Sequence, residues 1–283
     1  MLKRNRIAKG RLVRMKLCVK LVSVVGLVFG MSSAGFAQDW AKAKLDQSPR
    51  HREYVVLTHG GRKVNAYVAY PEVRGKAPVV VMIHEIFGLT DWARLMADEV
   101  AAKGYIVVEP DLLSGMGPGG GGTESFGGDE NAVKGVSKLD PAQVMADLNA
   151  AADYGEKLPS ASGKLAVAGF CWGGGKSFAF ATERKDLSAA FVFYGPPPPV
   201  DAMSAIHARV YGFYAGNDAR ISATVPATRK QMKVAGKTYD AVIYDGAGHG
   251  FMRAGQAPDA SAPNKAAWEQ GFARFTTELA KLK

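Results

Sequence analysis

The chain has almost no cysteine: two residues in 283, Cys18 and Cys171. That excludes a disulfide scaffold, a C-x-x-C redox pair and a thiolate metal cluster. Its five histidines show no metal-ligand spacing with the cysteines, so neither a metal nor a cofactor is expected. No internal repeat appears. Acidic residues are missing from the first 37 positions, which carry eight Lys or Arg. Removing those eight from the net charge of +10 leaves +2, an ordinary surface that gives no reason to expect a nucleic-acid partner.

The basic stretch opens a leader. Lys and Arg up to Lys20 precede the apolar run 21–30, which is too short to span a bilayer. Small Gly35 and Ala37 follow, placing a signal-peptide cut near Ala37. Met15-Lys16 would open a compact leader by itself. The expectation is a signal peptide over 1–37, export to the periplasm or beyond, and no stable membrane anchor after cleavage. Cys18 leaves with the leader, so Cys171 becomes a lone thiol in an oxidising compartment.

Hydrophobic content of 47% is ample for a core. Residues 38–52 read as a loose polar arm and 53–283 as one domain. Tyr54–Thr58 and Val64–Ala69 flank a His-Gly-Gly-Arg turn, a hairpin signal. Val79–His84 is a continuous apolar run, the mark of a buried parallel strand. Helix from Asp91, strand at Tyr105–Glu109, helix from Pro141 and strand at Leu165–Ala168 follow in alternation. The alternation continues to a closing amphipathic helix over 264–282, predicting an α/β fold with a doubly wound, mostly parallel sheet. A glycine-rich segment, 115–122, interrupts it. Its letters match G-x-G-x-x-G, but no helical pattern follows directly, so dinucleotide binding is rejected; the segment reads as a flexible rim to a site or as a surface excursion.

The chain is organised around Gly169-Phe-Cys171-Trp-Gly173, between a short apolar strand and a helix. G-x-C-x-G in that setting reads as a nucleophile elbow with cysteine for serine. The glycines let strand and helix approach, the Trp172 amide can face an oxyanion, and the helix N-terminus favours thiolate. A phosphate loop ending in Gly175-Lys176-Ser177 fails, because Phe170 stands where its first glycine belongs.

Sites in such sheets gather beyond the strands' carboxyl ends. Glu85, Cys171, Asp218 and His249 each fall at one such end. The order nucleophile, acid, histidine is that of α/β-hydrolases. In this reading Cys171 attacks an acyl carbon, His249 moves the proton, and Asp218 fixes the imidazole. His51, His59 and His207 read as surface residues.

From Tyr54 onward the chain resembles the dienelactone hydrolases (carboxymethylenebutenolidases). The resemblance rests on His84-Glu-Ile-Phe-Gly-Leu89, Glu109-Pro-Asp-Leu112, Gly169-Phe-Cys-Trp-Gly-Gly174, Asn217-Asp218 and Gly248-His-Gly-Phe-Met-Arg253. It implies an α/β-hydrolase fold, a Cys-His-Asp triad and a small ester or lactone substrate. It also implies that Glu85 pairs with the resting thiol, that the amides of Ile86 and Trp172 form the oxyanion hole, and that Phe87 and Arg253 bind substrate, Arg253 through a carboxylate. A second carboxylate-binding arginine of the family aligns with Gly115; Arg220 and Lys176 are the cations that could stand in. Two rival classes are a thiol redox or peroxide sensor, for which no resolving cysteine remains, and a non-catalytic binding protein, which the intact triad disfavours.

Overall fold

The computed structural model describes residues 38–283, and the expected leader lies outside them. Strands β1 (Arg52–His59) and β2 (Arg62–Ala69) form the expected antiparallel hairpin. Gly60 and Gly61 make its turn at φ +52° and +80°, values that strain any residue with a Cβ. Then come β3 (Ala77–Ile83), β4 (Ile106–Pro110), β5 (Ala161–Phe170), β6 (Leu187–Phe193), β7 (Arg209–Ala215) and β8 (Tyr239–Tyr244). The eight strands lie in the order β1-β2-β4-β3-β5-β6-β7-β8. β2 runs antiparallel to both neighbours, and all pairs from β4 to β8 are parallel. This is the α/β-hydrolase sheet.

The helices are α1 (Asp39–Asp46), α2 (Asp91–Ala101), α3 (Asp129–Val136), α4 (Pro141–Lys157), α5 (Trp172–Glu183), α6 (Ala219–Ser222), α7 (Val225–Val234), α8 (Phe251–Ala254) and α9 (Ala262–Ala280). Both sheet faces are buried, which explains why β3 reads as unbroken apolar sequence. Val79, Val81 and Ile83 pack with α4, α5 and α7, while Val80 and Met82 pack with α1, α2 and α9. Among the described residues no helix is long and apolar enough to cross a membrane.

Two segments differ from expectation. Residues 38–52 are no loose arm: α1 buries Ala41 and Leu45, and the Trp92 amide donates to Gln38 Oε1 at 3.1 Å. The buried pair is spaced i, i+4, one helical stripe that the polar composition of the segment hid. The glycine-rich segment, expected as a flexible rim, is stapled. Asp111 accepts from the Leu113 amide at 3.1 Å and from the Thr123 amide and hydroxyl at 2.7 Å each; Thr123 Oγ1 in turn accepts from the Leu89 amide at 2.9 Å. The segment then enters α3, whose Ala132 and Val136 pack with Leu113, Phe126 and Trp172.

β4 carries an anomaly. Glu109 is fully buried opposite Tyr67 and neither carboxyl oxygen has a partner among the described residues. Burial pushes its carboxyl up to about 8.

Candidate active site

Cys171 stands between β5 and α5 at φ +57°, ψ −116°, a conformation that L-residues rarely adopt. Strain of this kind costs on the order of 1–3 kcal/mol and persists only where surroundings enforce it. Here the enforcement is close backbone packing. A Cβ on Gly169 would lie 2.0 Å from the Gly173 carbonyl oxygen, and one on Gly173 would lie 2.4 Å from the carbonyl oxygens of Ile83 and His84. The Cys171 amide is held by Phe193 O at 3.0 Å. The sharp turn therefore follows from the two glycines, and it lifts the sulfur over the strand ends.

His249 arrives from the loop between β8 and α8. Its Nε2 is 3.0 Å from Cys171 Sγ, and its Nδ1 is 2.5 Å from Asp218 Oδ2. A carboxylate only accepts, so Nδ1 carries the hydrogen and Nε2 is free to take the thiol proton. Asp218 follows β7, is 8% exposed, and also accepts from the Ile221 amide at 3.4 Å. Asn217 ties the acid loop to the histidine loop: its amide donates to Ala247 O at 2.9 Å and its side chain to Gly246 O at 3.0 Å.

The backbone amides of Trp172 and Ile86 both pull the thiol pKa down, and the resemblance puts an oxyanion hole at the point between them. His84 helps to hold that point. It is fully buried, its Nε2 accepts from the Leu112 amide at 3.3 Å, and Nδ1 therefore donates to Glu85 O at 2.7 Å. Burial lowers its pKa, which keeps this neutral tautomer. His84 thus orients the backbone around Glu85 and not its carboxylate.

The thiol itself is pushed up to about 11. Burial is the first cause and the Glu85 charge the second; the two amides and Arg220 pull less strongly the other way. The helix N-terminus therefore does not yield a resting thiolate, contrary to the sequence expectation. Glu85 is 3% exposed and does not pair with the thiol either. Its Oε2 accepts from Arg253 Nε at 2.7 Å and its Oε1 from the Tyr194 hydroxyl at 3.4 Å. A charge-assisted bond to guanidinium is stronger than one to a thiol, so Arg253 holds the carboxylate. The Arg253 guanidinium also lies over Phe87, 5.1 Å from the ring centroid.

Tyr194 is a site residue that the sequence motifs did not single out. It is fully buried at φ +41°, and its ring meets that of His249 edge-on at 5.0 Å. A tyrosine at the carboxyl end of a central strand, just before a glycine, was the available signal. Of the cations considered for the missing arginine, Lys176 lies over Trp172 at 5.2 Å, while Arg220 acts on the thiol. Gly115 is turned elsewhere: at φ +77°, a Cβ there would face Arg62 Nη1 at 3.7 Å. His59, expected as a surface residue, joins Arg62 and Gln143 on buried Asp147, at 2.7, 3.0 and 2.9 Å. Among the described residues no group of His, Cys, Asp or Glu is arranged to hold a metal.

The sequence profile of the dienelactone hydrolase family matches residues 64–281. A candidate carboxymethylenebutenolidase of Salmonella typhi is 31% identical over 204 residues, covering 68% of this chain and 74% of its own. One from Methylorubrum extorquens is 32% identical over 201 residues, covering 66% and 68%. The crystal structure of a candidate dienelactone hydrolase from Klebsiella pneumoniae superposes with TM-score 0.69 at 29% identity, covering 79% of this chain and 97% of that one. The match spans the sheet from β2 onward, the elbow and the histidine loop, and the chain belongs to the dienelactone hydrolase family of α/β-hydrolases.

Proposed function

We propose that this hydrolase cleaves small esters or lactones through Cys171 and an acyl-enzyme intermediate. The observation that carries the reading is the continuous chain Cys171 Sγ, His249 Nε2, His249 Nδ1, Asp218 Oδ2, at 3.0 and 2.5 Å, on a strained elbow. The thiol proton passes to His249 Nε2 as sulfur bonds to the acyl carbon. The carbonyl oxygen becomes an oxyanion held by the Trp172 and Ile86 amides, and Asp218 stabilises the imidazolium. The C–O bond then breaks and the imidazolium protonates the leaving alkoxide. Water, deprotonated by His249, attacks the thioester; the C–S bond breaks, sulfur regains its proton and the acid departs.

Glu85 has a poising role. Its charge helps keep the proton on sulfur until a bound acyl group makes transfer worthwhile, and its carboxylate positions Arg253 and Tyr194. A protonated thiol is a poorer target for peroxide than a thiolate, which argues against a redox sensor. The test is turnover of p-nitrophenyl acetate with acid quenching. An acetyl mass on the Cys171 peptide during steady state is the expected result; turnover without an adduct on that peptide would place the nucleophile elsewhere.

We also infer export, from the leader pattern of residues 1–37, which lie outside the described residues. Intact-mass analysis of periplasmic protein should find Gln38, or a close neighbour, at the N-terminus. Full-length protein confined to the cytosol would rule this out.

A further inference from the structure

The β1–β2 turn and the glycine-rich segment line a common cleft of about 680 Å³, which shares no residue with the triad or with Arg253. Gly60 and Gly61 come from the turn, Gly115 and Gly120 from the segment. A Cβ on Gly60, Gly61 or Gly120 would meet nothing within 4 Å, so the main chain lies open to a ligand there. Among the described residues no Asp or Glu lines the cleft, whereas Arg62 and Lys63 both do.

Arg62 is held in place. Its Nε donates to both oxygens of Asp147, at 3.0 and 3.1 Å, and its Nη2 to Leu112 O at 3.5 Å. Asp147 is 1% exposed and is bonded in turn to His59 and Gln143. A buried carboxylate paired in this way adds little stability, because desolvation offsets the attraction. What it does supply is a fixed direction for the guanidinium. The nitrogen left over is Nη1, which has no hydrogen bond among the described residues. It lies 3.7 Å from the point that a Cβ on Gly115 would occupy, and glycine at that position keeps it uncovered. Asp147 compensates Arg62 from the far side of the guanidinium. Lys63 is exposed, sits opposite Thr58 on β1 and has no ion pair among the described residues, so it leaves the cleft positive.

We propose that this cleft is a second ligand site, separate from the catalytic centre, and that it binds a phosphate monoester. Such an ester presents three free oxygens, enough to engage Arg62 Nη1, the Lys63 ammonium and the glycine main chain together, where a carboxylate has two. Val56 lines the same cleft, is 57% exposed, and offers an apolar contact for the organic part. A free phosphorylated molecule and the headgroup of phosphatidic acid share this chemistry. The site stands whether or not Cys171 is the nucleophile.

The probe is phenyl phosphate, titrated into the full chain in phosphate-free buffer at fixed ionic strength and followed by phosphorus NMR. Saturable binding, displaced by inorganic phosphate and only weakly by benzoate, is the expected result. Lys63→Glu replaces one exposed charge by its opposite and should weaken binding by about tenfold or more, while Lys63→Arg should retain it. Arg62→Gln should cost at least as much. It also deprives buried Asp147 of its guanidinium, so the exposed Lys63→Glu decides if that variant fails to fold. Equal affinity in wild type and Lys63→Glu would place the anion elsewhere, as at Arg253, and overturn the assignment. Benzoate binding as tightly as phenyl phosphate, or no saturable binding at all, would overturn it as well. Vesicles of neutral lipid doped with phosphatidic acid separate the two sources. Retention on them that Lys63→Glu abolishes assigns a lipid headgroup, and phenyl phosphate binding without retention assigns a free phosphate ester.

Discussion

His249→Ala is expected to lower kcat/KM for small esters by roughly 10³-fold or more. The size follows from the state of the thiol. With its pKa pushed up to about 11, Cys171 holds its proton at neutral pH. Only about one molecule in 10⁴ would be thiolate at pH 7 without a base. His249 is the one side chain bonded to the sulfur among the described residues, and Asp218 keeps its Nε2 free to accept. Removing it leaves attack to that rare thiolate. The variant should therefore recover activity as pH rises, by close to tenfold per unit, because hydroxide then does what the imidazole did. Folding should be little affected, since the His249 side chain is 32% exposed in a loop. Thermal melts and a pH–rate profile on the same preparation check both parts. Near-wild-type turnover at neutral pH would show that the base lies elsewhere.

Glu109→Gln is expected to remove much of the loss of stability that the protein suffers between acid and alkaline pH. Glu109 has an ordinary carboxylate value of 4.5 in an unfolded chain and about 8 when folded. Below about 4.5 both states are protonated and the carboxyl adds no pH-dependent cost. Above it the unfolded chain ionises while the folded one keeps its proton, so stability falls steadily until about 8 and then levels. Over that window the cost is on the order of several kcal/mol, at about 1.4 kcal/mol per pKa unit. Glutamine cannot ionise, so it carries a fixed cost for a buried amide but no pH dependence. For a chain of this size each kcal/mol moves Tm by about 2–4 °C. Melts at pH 5, 7 and 9 should show wild-type Tm dropping more steeply than that of the variant. Parallel curves would mean that Glu109 ionises freely in the fold.

Most of the sheet was legible from the chain because each central strand is buried on both faces and reads as an apolar run. Glycines at the hairpin, at the elbow and after α2 punctuate it. The four chemistry-bearing residues were legible for the same reason: each lies within five residues of the carboxyl end of a strand. What was hidden lay where local pattern and tertiary role part company. Ala41 and Leu45 are only two apolar residues in a polar stretch, and α2 gives them their meaning. The thiol's pKa could not be read from the elbow motif, because burial and Glu85 outweigh the amides. Gly115 matches an alignment position by count, yet at its positive φ a side chain would face Arg62.

The strand order carries a consequence for synthesis. From β5 to β8 the spatial order of the strands is the order in which the ribosome delivers them. Cys171 is therefore synthesised well before His249, which follows 78 residues later, beyond the final edge strand. A nascent or partly assembled chain holds a cysteine with no histidine and no Arg253–Glu85 clasp above it. The contact between Cys171 and His249 needs the outermost strand in place, because His249 sits on the loop that leaves β8. The active site is in this sense a completion signal for the whole sheet, silent until the outermost strand has closed.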